Sequence, residues 1–238
     1  MSAAAPPAIA TAGLTKDYGG TLAVGPLDLV VAPGQRVSLI GHNGSGKTTL
    51  IRLLTGMLEP SAGEAVVAGH PAGSIDARAA LAHLADQPVF YDDLSLREHL
   101  EYIARLHGRS EWQPRADELL DAVGLTGRAD ELPSTFSRGL RQKAAVCLAF
   151  VRPFDVMVVD EPFVGLDRAG RESLLELFRL AHGGGAALVI ATHELATVAE
   201  SQRIVALRDG AVVFDGQPGE ADLDQLVDIA PAPEAESE

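Results

Sequence analysis

Cysteine is almost absent from this chain, which has 238 residues and a single cysteine, Cys147. One thiol excludes a disulfide framework within the chain, which is the usual means of stabilising small secreted domains. Cys147 lies in the apolar run AAVCLAFV, so we expect it to be buried and chemically inert. The low cysteine content fits a protein of the reducing cytoplasm.

Positive charge and long apolar runs are also scarce. Lysine and arginine number 19 against 33 aspartates and glutamates, which gives a formal net charge of −14. Because this excess repels phosphates, it argues against broad nucleic-acid binding. No apolar run approaches the roughly 18 residues of a membrane span, and residues 1–13 lack the pattern of a signal peptide. We therefore expect any membrane-spanning part of the system to belong to another chain.

Hydrophobic residues make up 47% of the chain, which is enough for one large α/β domain with a sizeable core. Residues 9–32 alternate loosely between glycines, which predicts short antiparallel strands. A hairpin with its turn at Asp209 and Gly210 is predicted over 203–215. Uninterrupted apolar strands, typical of a sheet covered on both faces, are predicted at 36–40, 156–159 and 187–192. Helices are predicted at 47–57, 76–82, 95–107, 114–123, 140–151 and 171–182.

The stretch GHNGSGKTT lies between a predicted strand and a predicted helix and fits G-x-x-x-x-G-K-[ST]. Its glycines let the backbone turn tightly with N–H groups directed inward, and the helix presents its N-terminal dipole to an anion. We predict that Lys47 reaches the β- and γ-phosphates and that Thr48 binds Mg²⁺. The alternative is a glycine-rich turn before an unrelated helix. The predicted nucleotide-binding residues of this loop are Gly41, His42, Asn43, Gly44, Ser45, Gly46, Lys47, Thr48 and Thr49.

Two adjacent carboxylates end the apolar strand in VMVVDEP, residues 156–162. Ligands bind at the carboxyl ends of strands in sheets of this kind. We predict that Asp160 organises Mg²⁺ and that Glu161 accepts a proton from, or orients, the water that attacks the γ-phosphate. The alternative is a solvated acidic turn.

Two further polar residues follow predicted core strands. His193 comes after ALVIAT and could contact the γ-phosphate, while Gln87 comes after a short strand and could reach Mg²⁺ or the attacking water. Either residue alone is weak support for a site. Because each lies at the end of a predicted core strand, we assign both to the predicted catalytic group with Lys47 and Glu161.

Taken in order, these motifs resemble the ATP-binding subunit of an ATP-binding cassette (ABC) transporter, over about residues 9–216. The resemblance implies an α/β fold, a P-loop NTPase core with N-terminal antiparallel β-strands and an inserted α-helical lobe at about 90–152. We expect one ABC ATPase domain at 9–230, between disordered segments at 1–8 and 231–238. The motifs are GHNGSGKTT at 41–49, Gln87, FSRGLRQK at 136–143, VVDEP at 158–162, GLD at 165–167 and ATH ending at His193.

The stretch FSRGLRQK matches the position of the family's signature, which is usually LSGGQ. Ser137 and Gly139 keep the family's residues, whereas Phe136, Arg138 and Leu140 depart from them. The resemblance implies that the Ser137 hydroxyl and the Gly139 N–H bind the γ-phosphate of ATP held by the opposite protomer, at a helix N-terminus. The alternative is a plain helix cap. Such variants resemble those of exporters for drugs, polysaccharides or haem.

Two other positions take their expected roles from the resemblance. Tyr18 matches the aromatic residue that stacks on adenine, and its alternative is a tyrosine at a strand edge. Asp167 matches the loop that communicates between protomers, and it could equally be the N-cap of the next helix.

The resemblance implies that this subunit hydrolyses ATP with Mg²⁺, pairs with a second ATP-binding subunit (a homodimer in the simplest case) and powers a separate transmembrane permease. The permease contact would lie at residues 87–102, and the subunit would sit peripherally on the cytoplasmic side of the membrane, with export favoured. One alternative is a soluble ABC-family ATPase that is not coupled to transport. Another is a nucleotide-gated interaction module with little catalysis.

Overall fold

The computed structural model describes residues 6–220. The predicted disordered segments at 1–8 and 231–238 lie outside these residues, except for the last three residues of the first segment. Residues 221–230, which we assigned to the domain, also lie outside them. Within the described part, Ala8 is buried, and its N–H donates to the carbonyl of Val31 at 2.9 Å. The ordered domain therefore includes Ala8.

The strands of the described chain form two sheets. They are β1 (Ile9–Asp17), β2 (Leu22–Leu27), β3 (Val30–Val31), β4 (Arg36–Ile40), β5 (Ala62–Val67), β6 (His70–Pro71), β7 (Leu81–Leu84), β8 (Val156–Asp160), β9 (Ala187–Ala191), β10 (Arg203–Arg208) and β11 (Ala211–Gly216). The first sheet has the order β2-β1-β5-β6, with β3 also paired to β1. All its pairings are antiparallel, which confirms the prediction for residues 9–32.

The second sheet has six strands in the order β11-β10-β4-β9-β8-β7. Its strands are parallel apart from β11. Every residue of β4, β8 and β9 is buried, as expected for a sheet covered on both faces. The predicted hairpin joins β10 to β11, and φ is positive at Asp209 (49°) and Gly210 (78°), as a type I′ turn requires.

Helices surround the second sheet and fill the stretch between β7 and β8. Short 3₁₀ turns also occur at Thr126–Arg128, Pro133–Thr135 and Pro218–Glu220. The helix α3 (Leu96–Leu106) opens with the predicted capping box, in which Ser95 and Glu98 satisfy each other's backbone N–H groups. The α-helices are α1 (Lys47–Leu54), α2 (Ile75–Ala80), α3 (Leu96–Leu106), α4 (Gln113–Ala122), α5 (Arg138–Phe150), α6 (Arg168–Gly183) and α7 (Leu195–Ala199).

Two of the predicted helices end early. The helix predicted at 76–82 stops at Ala80, because Leu81 and Ala82 pair with β8 as the first residues of β7. The helix α1 stops at Leu54, three residues before its predicted end. Gly56 adopts φ 71° there and packs closely on Gly73, so the chain turns where the apolar pattern alone continues. Single-sequence patterns do not contain these long-range contacts.

The parallel strands of the second sheet run in one direction, so their carboxyl ends meet at one edge. The glycine-rich loop follows β4, Glu161 follows β8, and His193 comes two residues after β9. Gln87 comes three residues after β7 at the sheet's end strand. The fold therefore collects most of the predicted site residues at this edge, where ligands bind in open α/β sheets.

Candidate functional site

The glycine-rich loop is held by close backbone packing at two of its glycines. Gly41 and Gly46 have φ 146° and 106°, in the region that favours glycine. A Cβ at Gly41 would lie 2.2 Å from the carbonyl oxygen of Leu207, and one at Gly46 would lie 2.4 Å from that of Ala23. Any side chain at either position would displace the loop from the sheet. The sequence motif therefore corresponds to a steric requirement of this fold.

The ammonium group of Lys47 lies inside the loop. Its Nζ donates to the carbonyls of Gly41 at 2.6 Å and His42 at 3.1 Å. Burial lowers the pKa of Lys47, while the nearby carboxylates of Glu161 and Asp160 act in the opposite direction. A phosphate seated in the loop would meet this cation directly, and the contact of Lys47 with the β- and γ-phosphates stays a prediction.

Two buried oxygens beside the loop are available to a ligand. Ser45 Oγ and Asp160 Oδ1 have no hydrogen-bond partner among the described residues, and buried polar atoms rarely stay unsatisfied. Burial raises the pKa of Asp160, while a hydrogen bond from Thr48 lowers it. A dication at this point would stabilise the ionised carboxylate. The chain thus offers hard oxygen ligands, carboxylate and hydroxyl, of the kind Mg²⁺ prefers.

Two neighbouring cavities bring the predicted groups together. One, of 350 Å³, is lined by the three predicted metal residues, Thr48, Gln87 and Asp160, together with Asp86. The other, of 190 Å³, is lined by Lys47 and Glu161, and it shares Thr48 and Asp160 with the first. Mg²⁺ is commonly held by one or two carboxylates plus the substrate's phosphates, which fits this donor set. The sequence did not predict a role for Asp86. Its one sequence signal is that it directly precedes Gln87.

Glu161 and His193 form a pair that the sequence did not reveal. Glu161 Oε2 lies 2.9 Å from His193 Nδ1. The backbone of Glu161 is left-handed, with φ 42°, a conformation that costs a non-glycine residue about 1–2 kcal/mol. Its N–H donates to the carbonyl of Ala191 at 2.9 Å. This bond anchors the turn on β9 and directs the carboxylate toward the site.

Burial raises the pKa of the Glu161 carboxyl, and the charges of His193 and Lys47 partly oppose this effect. A carboxylate with a raised pKa is a better proton acceptor near neutral pH than an exposed one. The geometry therefore suits Glu161 for general-base chemistry, with His193 as the group that positions it.

The predicted signature lies outside both cavities. Ser137 is the N-cap of α5, and its hydroxyl accepts the N–H of Leu140 at 3.4 Å. Gly139 packs so tightly on the loop after β8 that a Cβ would lie 2.3 Å from the Gly165 carbonyl oxygen. Arg138, beside Ser137, is 3.4 Å from Asp86. The helix-cap alternative is thus correct as local structure, and it leaves the outward role of Ser137 open.

Asp167 and Tyr18 also stand apart from the cavities. Asp167 is the N-cap of α6 and accepts the Gly170 N–H at 2.8 Å, while Lys143 of α5 lies 3.0 Å from its carboxylate. Tyr18 is 51% exposed, with Lys16 Nζ 5.2 Å from its ring centroid. Its adenine-stacking role stays a prediction.

His42 belongs to the predicted loop, and both nitrogens of its ring lie close to other residues. Its Nε2 lies 3.5 Å from an Asp209 carboxylate oxygen, and its Nδ1 lies 2.7 Å from the Asn43 carbonyl oxygen. The role of His42 in nucleotide binding stays a prediction.

Comparison with known proteins assigns the chain to a family. Residues 24–164, more than half of the chain, match the family model of ABC transporters. The chain belongs to the ABC transporter family. An ABC transporter ATP-binding protein of Halobacterium salinarum is 38% identical over 218 residues, covering 87% of this chain and 92% of that protein. The SkfA peptide export ATP-binding protein SkfE of Bacillus subtilis is 33% identical over 205 residues, covering 85% and 86%.

A solved structure of an ATP-binding subunit of an ABC transporter is 32% identical to this ABC protein, with a TM-score of 0.85. It covers 92% of this chain and 97% of that one. These matches confirm the predicted family, the P-loop α/β fold and the prediction of an ATPase that powers a transporter. Within residues 6–220 of this ABC subunit, no helix is both long and apolar enough to cross a membrane.

Proposed function

We propose that this ABC subunit binds Mg²⁺-ATP at its glycine-rich loop, pairs head to tail with a second copy of itself, and couples hydrolysis to a separate membrane permease. The observation that carries this proposal is an asymmetry. Lys47, Glu161 and the residues around them converge on one edge of the sheet, whereas Ser137 and Gly139 lie outside the cavities there. A second protomer is the simplest source of a signature for this site.

Within one protomer, each group has a defined task. Lys47 neutralises charge on the β- and γ-phosphates. Thr48, Asp160 and Gln87 would hold Mg²⁺, which supplies charge neutralisation at the phosphates when bound. Tyr18 would stack on the adenine, and the backbone N–H groups of 41–49 would bind the phosphates.

Hydrolysis requires a water in line with the γ-phosphorus. Glu161 accepts a proton from that water as the new P–O bond forms and the bond to the bridging oxygen of ADP breaks. His193, 2.9 Å from Glu161, holds the carboxylate in place. Its side chain is 64% exposed, so it is open to contact with a γ-phosphate.

The opposite protomer would contribute Ser137 and Gly139. Ser137 is exposed at the start of the 13-residue helix α5, where the free N–H groups and the helix dipole favour an anion. The γ-phosphate would join the two protomers, and its release on hydrolysis would loosen the pair.

The permease would dock beside Gln87. A groove of 350 Å³ there has an apolar wall that includes Val89, Phe90, Ile103 and Leu148, and Gln87 lines it as well. Val89 is 92% exposed, and with the apolar wall of the groove it forms a surface that a partner could cover. The subunit would then lie at the cytoplasmic face of the membrane. Export is favoured because SkfE, which is named for peptide export, is similar over most of the chain.

Co-purification tests the permease assignment. We would tag the subunit, solubilise membranes gently and identify what binds, using Val89→Asp as the test variant and Val213→Asp, an exposed valine of β11, as its control. We expect a polytopic membrane protein with the wild type and the control, and its loss with Val89→Asp at unchanged ATPase activity. Recovery of the wild type solely in the soluble fraction would instead favour an ABC ATPase that is not coupled to transport.

A further inference from the structure

Asp86 is a carboxylate at the nucleotide edge of the sheet that has no part in the predicted site. It follows the end of β7 by two residues and directly precedes Gln87. Its side chain is 34% exposed, and it lines the 350 Å³ cavity together with Thr48 and Asp160. Asp86 therefore borders the same cavity as the residues that would hold Mg²⁺.

Asp160 gives this cavity an oxygen that is available to a cation. Only 5% of Asp160 is exposed, and its Oδ1 has no hydrogen-bond partner within the part of the chain that the structure describes. Burial raises the pKa of Asp160, and the charge of Asp86 raises it further. Asp86 is thus close enough to act on Asp160 electrostatically, and a dication in the cavity would offset the repulsion between the two carboxylates.

The other titratable groups that line the cavity are Arg52 and His83. Burial lowers the pKa of His83, and the charge of Arg52 lowers it further, so this imidazole is neutral near pH 7. Two carboxylates and one guanidinium leave one net negative charge on the wall. The cavity therefore favours a cation, and the closest cation outside the wall that pairs with it is Arg138.

Arg138 holds Asp86 from outside the cavity. Its Nη2 lies 3.4 Å from Asp86 Oδ1, and Arg138 does not line the cavity itself. Arg138 is the first residue of α5 and directly follows Ser137, so it belongs to the signature. It stands where the usual signature LSGGQ has an uncharged glycine. This chain therefore pairs an aspartate of the metal cavity with a cation of its own signature.

We propose that Asp86 is a further residue of the metal site and that Mg²⁺ and Arg138 compete for its carboxylate. The inference rests on the proposed nucleotide site. A metal that binds at Asp86 weakens the hold of Asp86 on Arg138, and by linkage Arg138 weakens metal binding by the same factor. An exposed ion pair is worth at most about a fivefold change in an equilibrium constant, so the competition adjusts the metal affinity. Metal binding also frees a cation beside Ser137 on the signature surface.

Binding of ADP with and without a divalent metal tests the role of Asp86. ADP is not hydrolysed by the proposed reaction, and the proposed function expects a monomer with it. We would titrate the full-length protein with ADP by calorimetry, once with Mn²⁺ and once with EDTA. Mn²⁺ prefers the same oxygen ligands as Mg²⁺, and electron paramagnetic resonance counts the Mn²⁺ that stays free.

The two conditions should change in opposite directions in Asp86→Asn. Its affinity for Mn²⁺ in the presence of ADP should fall by about tenfold, as when a supporting group of a metal site is lost. In EDTA it should bind ADP at least as tightly as the wild type, because the loss of a negative charge does not repel an anion. A damaged fold would weaken both. Asp92→Asn, which removes an exposed carboxylate outside the cavity, is the control and should match the wild type.

A double-mutant cycle tests the competition. Arg138→Ala should tighten Mn²⁺ binding by about two- to fivefold, and it should lose most of this effect in the Asp86→Asn background, where the shared carboxylate is gone. If Arg138 acted only through its field, removal of its partner would leave the effect equal or larger. Arg168→Ala is the control, because Arg168 is 93% exposed and pairs with Glu172, and it should leave the Mn²⁺ affinity unchanged.

Three outcomes would overturn the proposal, and each has a different meaning. Wild-type Mn²⁺ affinity in Asp86→Asn, or equal weakening of ADP binding with Mn²⁺ and with EDTA, would remove Asp86 from the metal site. An effect of Arg138→Ala that persists in full without Asp86 would remove the competition. A wild type that binds no ADP in either condition would instead overturn the proposed nucleotide site on which the inference rests.

Discussion

The glycine-rich loop and the signature segment are both phosphate-binding candidates, and they are built in opposite ways. The loop is enclosed, with Lys47 buried inside it and two glycines pressed against backbone carbonyls. The signature lies at the surface, where Ser137 is an exposed helix cap. The predicted metal ligands and the predicted base line the cavities beside the loop, whereas Ser137 and Gly139 line neither cavity. Under the proposed function, this difference makes the loop the nucleotide site and the signature a surface that completes the site of another molecule.

The two regions are nevertheless linked within one protomer. Gly139 packs on Gly165, and Lys143 pairs with Asp167, so α5 rests on the loop that follows Glu161. Arg138 also lies 3.4 Å from Asp86, which lines the predicted metal cavity. Short contacts thus join the two candidate sites within one protomer.

The largest expected effect comes from separating the two regions between different molecules. Lys47→Ala and Ser137→Ala should each reduce ATP turnover by about 10²–10³-fold, because each removes a donor to the transferring phosphoryl group. An equal mixture should recover roughly a quarter of wild-type turnover, because about half of the two-fold pairs are mixed and each holds one intact site. Steady-state phosphate release measures this. If both variants melt at the wild-type temperature and their mixture still shows no recovery of turnover, the result would argue against a shared site.

A steric change in the signature should have a smaller effect. Gly139→Ala places a methyl group 2.3 Å from the Gly165 carbonyl oxygen, and overpacking of this kind costs about 1–3 kcal/mol. We expect a lower melting temperature and turnover reduced by about tenfold, with nucleotide binding to the loop retained. Gly127→Ala is the control, since a Cβ there meets nothing within 4 Å. Equal behaviour of the two variants would count against the close packing.

The pH dependence of turnover should report the Glu161–His193 pair. Burial raises the pKa of Glu161, and His193 opposes this. Activity should therefore fall as the pH drops through a pKa above that of an ordinary glutamate, because the protonated carboxyl accepts no proton. In His193→Ala the opposing charge is gone, so the acid limb should move to higher pH. If the acid limb stays in place or moves to lower pH, the charge of His193 does not lower the pKa of Glu161.

The smallest expected effect is at the contact between the regions. Arg138 and Asp86 form an ion pair whose side chains are 65% and 34% exposed, and such pairs contribute about 0–1 kcal/mol. Arg138→Ala should lower the free energy of unfolding by no more than this, measured in urea, and high salt should remove the difference. A larger, salt-independent loss would show that Arg138 has another role.

The sequence predicted the loop, the strand ends and the antiparallel first sheet because each depends on a local pattern. Gly41, Lys47 and Asp160 stand in motifs whose geometry follows from adjacent residues. The sequence did not predict the 2.9 Å contact between Glu161 and His193, because these residues follow two strands that are far apart in the chain. Asp86 and the Gly139–Gly165 contact were missed for the same reason, since neither leaves a periodic or spaced pattern. The early end of α2 likewise depends on pairing with β8.

The most direct test of a site shared between two molecules is the mass of Glu161→Gln in solution with ATP and Mg²⁺, measured by light scattering after size-exclusion chromatography. Without the proton acceptor the variant should bind ATP and fail to hydrolyse it, so the two protomers should stay joined. We expect a dimer with ATP and Mg²⁺, and a monomer with ADP or when Ser137→Ala is added. A monomer under all of these conditions, or turnover at the wild-type rate, would contradict the account.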